Sequence, residues 1–368
     1  MAIPLLDLSG TPLKRGEIHG ETMSSSIQAN IQTYMDRFMM DGTSEEIIWQ
    51  EAEKWGARFK EHDEGYYEEM SGIARGADVP LRAIALLNAR YELAYTLYTN
   101  EAAAANDMPH SQQPEGCTSF GIQPEFTATR TTILGQNWDW LEGLVGNMCL
   151  LRVRSDDHPD YIVLTQAGIV SGMIGFNEFG IGLCVNGLSS KADGRELHHR
   201  PFHIRVQDIM RSKTFNGALK VVFSTDRVCS TNWLLGCKGG EVLDIESSPN
   251  VTHTLYPTEG LVTHGNHFIN QTGIETEFER IAPCSLYRTP RLDRLIRQNT
   301  QAWDVDHLKS CLKDTFGEPR AICRYANEED PVEARTVTVA SVIMDLDELT
   351  IEVTDGPPDQ NGYQQHSL

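Results

Sequence analysis

The chain has 368 residues, 40% of them hydrophobic and 23% charged, which is enough apolar content for one large core or two smaller ones. Thirty-one Lys and Arg against 52 Asp and Glu leave a net charge of -21, a field that repels phosphate backbones and anionic lipid, so neither nucleic acid nor a membrane is an expected partner. Eight cysteines, at 117, 149, 184, 229, 237, 284, 311 and 323, contain no C-x-x-C pair and read as reduced thiols of a cytoplasmic protein.

The opening Met-Ala-Ile-Pro-Leu-Leu-Asp lacks the basic segment of a signal peptide, and no apolar run reaches membrane-spanning length. Residues 1 to about 105 read mostly as helices. Ile27, Ile31, Tyr34 and Phe38 recur at helical spacing, as do Ile84, Leu87, Tyr91, Tyr95 and Tyr98, and both stripes read as core. Thr43-Ser44-Glu45-Glu46 has the form of a capping box that starts a helix carrying Ile47, Ile48 and Trp55. From about 100 to 116 the composition turns to Asn, Ala, Pro, Gln and Ser, that of an exposed loop where a cut is tolerated.

After Cys117 the character changes to strands. Residues 132–135, 149–153, 161–164 and 180–185 are β-branched or apolar runs bounded by turn residues. Two helices follow near 202–213 and 215–224, strands at 231–246 and 260–268, and helices near 288–299 and 304–315. Val337 to Met344 and Leu349 to Val353 form a hairpin turning at Asp345-Leu346-Asp347-Glu348, and the terminal Gln365-His366-Ser367-Leu368 reads as a disordered tail. Strand runs broken by helix pairs point to stacked antiparallel sheets with helices outside, and there is no G-x-G-x-x-G, P-loop or internal repeat.

The most informative stretch is Gly116-Cys117-Thr118-Ser119-Phe120, where a loop runs into the first strand. Cutting the Gly116-Cys117 bond would place nucleophile and base on one residue: the thiolate attacks a carbonyl and the residue's own α-amine takes the proton. A free α-amine titrates near ~7.7 to 8 and a thiol near ~8.5, so the exchange is nearly balanced at neutral pH.

The segments Gly72-Ile73-Ala74-Arg75-Gly76-Ala77, Leu87-Asn88-Ala89-Arg90-Tyr91-Glu92, Gly116-Cys117-Thr118, Gly135-Gln136-Asn137-Trp138-Asp139, Ala167-Gly168-Ile169, Gly175-Phe176-Asn177, Thr263-His264-Gly265-Asn266-His267-Phe268 and Ile322-Cys323-Arg324 occur in this order. As a set they resemble the acyl-coenzyme A:6-aminopenicillanic acid acyltransferase family of self-processing cysteine N-terminal-nucleophile hydrolases, which includes β-alanyl-amine hydrolases. The resemblance implies an α+β fold, an αββα sandwich of two mainly antiparallel sheets flanked by helices. It implies a precursor cut between Gly116 and Cys117 into a helical α-chain of residues 1–116 and a catalytic β-chain of residues 117–368. Such a heterodimer could assemble further.

By the same resemblance Asn266 binds the oxyanion, Asp139 orients the new ammonium group, Arg324 lines the substrate region, and Ser248 falls where the family has another serine of interest. The serine before Ile-Cys-Arg in the fungal acyltransferase is Ala321 here. Gly116 suits the scissile position because it lacks a Cβ to block the attacking sulfur.

Three other readings stay open. His264-x-x-His267 and the group His198, His199 and His203 raise a metal site, but neither has the H-E-x-x-H arrangement, and no metal or cofactor is expected. A papain-like site would use Cys117 with His264 or His267 and Asn266 in an uncut chain. A non-catalytic binding protein on an enzyme's fold is the third. The expectation is a cofactor-free hydrolase of small N-acyl or aminoacyl amides acting through acyl-Cys117, its partner a small-molecule amide or thioester. An acyl-coenzyme A-dependent N-acyltransferase is the alternative.

Overall fold

The computed structural model describes residues 2–40, 42–94, 97, 116–195, 199–224, 227–299 and 302–368. Tyr95, Tyr98, His198 and residues 101–115, expected as a loop, lie outside the described residues.

A short strand, β1 (Leu5–Leu8), precedes four helices: α1 (Pro12–Met39), α2 (Glu45–His62), α3 (Glu64–Ala77) and α4 (Leu81–Asn88). The side chains of Thr11, Ser44 and Asp63 each accept from a backbone N–H of the first turn, satisfying donors that helix geometry leaves unpaired. Ile27, Tyr34 and Phe38 are buried along α1, and Ile48, Trp55 and Phe59 along α2. Ile84 and Leu87 are buried too, so both stripes are core as far as they are described.

α1 and α3 touch backbone to backbone. A Cβ on Gly16, Gly20, Gly72 or Gly76 would sit 2.1 to 2.4 Å from a carbonyl oxygen of the facing helix, so only glycine fits there. Arg15 and Glu69 close one end of this contact with a buried ion pair, Nη2 to Oε2 at 2.6 Å.

Two sheets form the centre. The first has eight strands in the order β1, β4 (Met148–Val153), β5 (Tyr161–Gln166), β6 (Ile174–Asn177), β7 (Ile181–Gly187), β8 (Thr231–Cys237), β9 (Val242–Ser247), β10 (Thr252–Leu255). Every neighbouring pair in it is antiparallel except β1 with β4. The second runs β11 (Leu261–His264), β2 (Thr118–Ile122), β3 (Ile133–Leu141), β12 (Thr336–Asp345), β13 (Thr350–Val353), β14 (Gln364–Ser367), antiparallel throughout.

Their inner faces meet where Gly121 approaches Val242 and Leu234, and where Gly182 and Gly236 approach Leu134 and Leu346. Asn30 and Asn88 tie α1 and α4 to the first sheet by donating to the carbonyls of Ala167 and Gly168. The helices α5 (Phe202–Met210) and α6 (Phe215–Phe223) follow β7 in the chain. On the far side, α7 (Cys284–Arg297) and α8 (Val305–Leu312) bury Leu292, Ile296, Leu308 and Leu312 against Phe120, Ile122 and Ile133 of the second sheet. The result is the helix, sheet, sheet, helix layering that the resemblance implied.

Several expectations change in detail. The run at 231–246 is a hairpin of two strands, and the strand expected at 260–268 ends at His264, leaving 265–268 as loop. The first turn of α7 begins at Cys284, four residues ahead of the expected start. The terminal residues are no disordered tail: Gln364–Ser367 pair with β13, and Ser367 O accepts from Arg152 Nη1 at 3.0 Å.

Candidate active site

Cys117 immediately precedes β2, the strand between β11 and β3. Pairing across these strands and β12 fixes the surroundings. Thr118 lies opposite Asn137, His264 opposite Ser119, and Thr338 opposite Asp139, which brings the ends of four strands to one place. Cys117, Asp139, Asn266 and Arg324 are all buried there.

Arg288, from α7, is the hub. One Nη1 donates to Cys117 O at 2.7 Å and to Thr118 Oγ1 at 2.5 Å, and Nη2 donates to Asn266 Oδ1 at 2.8 Å. Asn266 Nδ2 in turn donates to Gly187 O at 3.1 Å, and Asn266 N donates to Ser285 Oγ at 2.7 Å. A carboxamide nitrogen carries two protons, so one remains after the Gly187 bond. Arg288 fixes which end of the amide is the donor.

Arg324 forms the opposite wall. Its Nε faces Asp139 Oδ2 at 3.3 Å, while Nη1 donates to Thr336 Oγ1 at 3.1 Å and Nη2 to Cys284 Sγ at 3.4 Å. Asp139 Oδ1 accepts from Thr338 Oγ1 at 2.7 Å, and Asp139 O accepts from Gly116 N at 3.3 Å. Burial pushes the Asp139 carboxyl up to about 6, with Arg324 and Arg288 opposing that rise. The guanidinium also packs on Gly116: a Cβ there would lie 2.5 Å from Arg324 Cζ, so no larger residue fits without moving the arginine.

Both histidines of the Thr263–Phe268 segment are occupied. His264 Nε2 lies 3.0 Å from Glu246 Oε1 and its Nδ1 3.0 Å from Gly265 O, an arrangement that suits an imidazolium donating from both nitrogens. Burial opposes that charge, but Asp244 and Glu246 together push the ring up to about 8. His267 Nδ1 sits 2.8 Å from Ser285 Oγ, and burial holds it down to about 4, so it is neutral near pH 7. Because Ser285 Oγ already accepts from Asn266 N, its proton is available to His267 Nδ1.

Ser248 is not among these contacts. Its hydroxyl bonds Val251 within the turn between β9 and β10 and lines a separate small cavity with Ser190 and Asn250. Among the described residues no group of three or more His, Cys, Asp or Glu is placed to hold a metal ion, and no helix is long and apolar enough to cross a membrane.

Sequence reasoning did not single out Arg288, Thr338 or Cys284. Arg288 had a readable signal: with Ser285, Leu292 and Ile296 it falls on the buried stripe of α7, where a charged residue needs buried partners.

A family model described as "Acyl-coenzyme A:6-aminopenicillanic acid acyl-transferase" matches residues 127–360. The chain is 25% identical over 285 residues to the 40 kDa form of acyl-coenzyme A:6-aminopenicillanic-acid-acyltransferase of Emericella nidulans, covering 76% of this chain and 72% of that one. Among solved structures, an N-acylethanolamine-hydrolyzing acid amidase ortholog of Caenorhabditis elegans aligns with TM-score 0.48 and 16% identity, over 63% of this chain and 93% of its own. A C2A mutant of conjugated bile acid hydrolase from Clostridium perfringens aligns with TM-score 0.49 and 10% identity, over 68% of this chain and 92% of its own.

Proposed function

Since the chain belongs to the acyl-coenzyme A:6-aminopenicillanic acid acyl-transferase family, we propose that it is a self-processing cysteine amidohydrolase of small N-acyl or aminoacyl amides, with Cys117 as nucleophile. In maturation, Cys117 Sγ attacks the Gly116 carbonyl carbon, the C–N bond breaks, and the nitrogen leaves as the free α-amine of Cys117. Water then opens the Gly116 thioester, releasing a Gly116 carboxylate and the thiol.

In turnover the α-amine takes the thiol proton, and the thiolate attacks the substrate carbonyl. The remaining proton of Asn266 Nδ2 faces the charge that develops on oxygen, a role in which one donor is worth about 2.7 to 4 kcal/mol. The leaving amine takes its proton from the α-ammonium, and water resolves acyl-Cys117. Asp139, buried and ion-paired with Arg324, provides the carboxylate that holds the ammonium group in place.

The observation that carries this reading is how the scissile residue is held. Gly116 N is bonded to Asp139 O, its Cα rests on the Arg324 guanidinium, and the next carbonyl is fixed by Arg288. A substrate acyl group that later replaces Gly116 meets Arg324 at the same place, which makes Arg324 a substrate contact. The papain-like alternative loses His264, whose two ring nitrogens are taken up by Glu246 and Gly265, and is left with His267, whose Nδ1 meets Ser285.

A second reading, acyl transfer from acyl-coenzyme A to an amine, rests on the name of the Emericella relative. The net charge of -21 works against binding that polyphosphate anion. Turnover of a panel of β-alanyl amines, dipeptides and penicillins, with and without acyl-coenzyme A and an amine acceptor, distinguishes the two.

The decisive test is amino-terminal sequencing with intact mass of the expressed protein. Wild type is expected as two polypeptides, the heavier beginning at Cys117, and Cys117→Ala as one uncut, inactive chain. Active enzyme with only the original amino terminus would sink the proposal and promote the papain-like site.

A further inference from the structure

β11 ends at His264, and the residues after it form the loop that carries Asn266. Both ends of this loop meet one side chain, Glu246 of β9, which belongs to the opposite sheet. Glu246 Oε1 accepts from His264 Nε2 at 3.0 Å and from the backbone N–H of Ile269, and Oε2 accepts from Asn270 N at 3.0 Å. The carboxylate is fully buried. Burial opposes its charge, but the donors from His264, Ile269 and Asn270 hold it below the ordinary carboxylate value.

Asn266 lies between these anchor points. Its side chain is held by Arg288 and Gly187 O, and its N–H by Ser285 Oγ. Those contacts orient the amide, while Glu246 holds the backbone that follows it and the histidine that precedes it. His264 Nδ1 also meets Gly265 O at 3.0 Å, which carries the hold one residue closer to Asn266. A buried charge whose donors all come from one short segment leaves that segment few other courses, since any other course strands the charge without partners.

We propose that Glu246 is a positioning residue for turnover: its carboxylate clamps residues 264–270 across the two sheets and so sets where Asn266 Nδ2 points. It acts through Asn266 and takes no direct part in bond making. This inference rests on the oxyanion role of Asn266 given under the proposed function.

The experiment is a double-mutant cycle of Glu246→Gln and Asn266→Ala on mature protein, with kcat and KM measured on the best amide of the substrate panel. A carboxamide has one accepting oxygen, so whichever way it turns, its NH₂ group faces a backbone N–H that needs an acceptor. Glu246→Gln alone is expected to lower kcat by about 10-fold to 10²-fold, as small misplacements of a catalytic group do, with KM changing less. In the Asn266→Ala background the same change should cost less than about twofold, because the group it positions is gone. An equal loss in both backgrounds overturns the proposal and leaves the role of Asn266 standing. A wild-type kcat in Asn266→Ala removes the oxyanion role itself, and the proposal falls with it.

Wild type supplies a second readout that needs neither variant. The backbone N–H groups of Ile269 and Asn270 should exchange with deuterium at least about 10²-fold more slowly than in an unfolded chain. Exchange of both at the unfolded rate overturns the clamp even where Glu246→Gln does not fold.

Discussion

Between α1 and α3, four glycines let two backbones touch; around Cys117, two arginines and an aspartate hold four strand ends and a helix together. Both regions exclude water, but by different means. The helix pair gains from close approach and dispersion contacts, and a single added methyl disturbs it. The site carries charges that are expensive to bury and persist only because each meets a partner. The first arrangement resists change in volume, the second resists change in charge or hydrogen bonding.

The sharpest way to break the second region without touching the first is Asn266→Ala. Measured on material already cut at Gly116-Cys117, kcat is expected to fall by about 10² to 10³ with a smaller effect on KM. A normal kcat with raised KM would place the oxyanion donor elsewhere. Gly72→Ala is the converse experiment, since its Cβ would lie 2.2 Å from Leu13 O. Urea denaturation should show a loss of about 1 to 3 kcal/mol, as for overpacking generally, while kcat per folded molecule stays at the wild-type value. An unchanged midpoint would mean that α1 and α3 are not in backbone contact.

A pH series separates the regions again. His264 is pushed up to about 8 by Asp244 and Glu246, above the ~6.5 of an unfolded histidine. The folded state therefore binds the extra proton, so the stabilisation is complete below about 6.5 and is lost as pH rises through 8, amounting to about 2 kcal/mol. His264→Gln should flatten that fall in denaturation curves between pH 6 and 9, with turnover at pH 7 remaining within about tenfold. A slope in the variant equal to that of wild type would move the titrating group elsewhere. The smallest effect is expected at Arg75→Ala, which removes the 2.8 Å pair with Glu17 on the outer surface of the glycine contact. Arg75 is 66% exposed, so the change should stay within about 0.5 kcal/mol by thermal or urea denaturation, and a larger loss would show that this pair braces the helices.

The helical region was largely legible because its signal is local. The spacing of Ile27, Tyr34 and Phe38 names one face of α1 whatever lies opposite. The sheet runs were legible as strands but not as an order, since pairing depends on distant residues: Thr338 reaches Asp139 across 199 positions. Gly116, Cys117, Asp139, Asn266 and Arg324 were reached through their ordered motifs, and the structure brings them together. Ser248 stands apart, held in a turn of its own. Arg288 is only the first residue of the helix expected at 288–299, so the preceding turn, with Ser285 on the same buried stripe, falls outside that helix and its signal is weak. The terminal strand was missed because Gln-Gln-His-Ser has no β-propensity to detect; backbone pairing with β13 alone recruits it.

That terminal strand also decides what the molecule shows to its neighbours. An outermost strand offers unpaired N–H and C=O groups to any extended chain in solution. With β14 in place, the outermost strand is four residues of polar side chains, and the edge of β13 is paired while its Ile351 and Val353 stay in the core. Removing β14 is expected to leave the edge groups of β13 open to extended chains in solution.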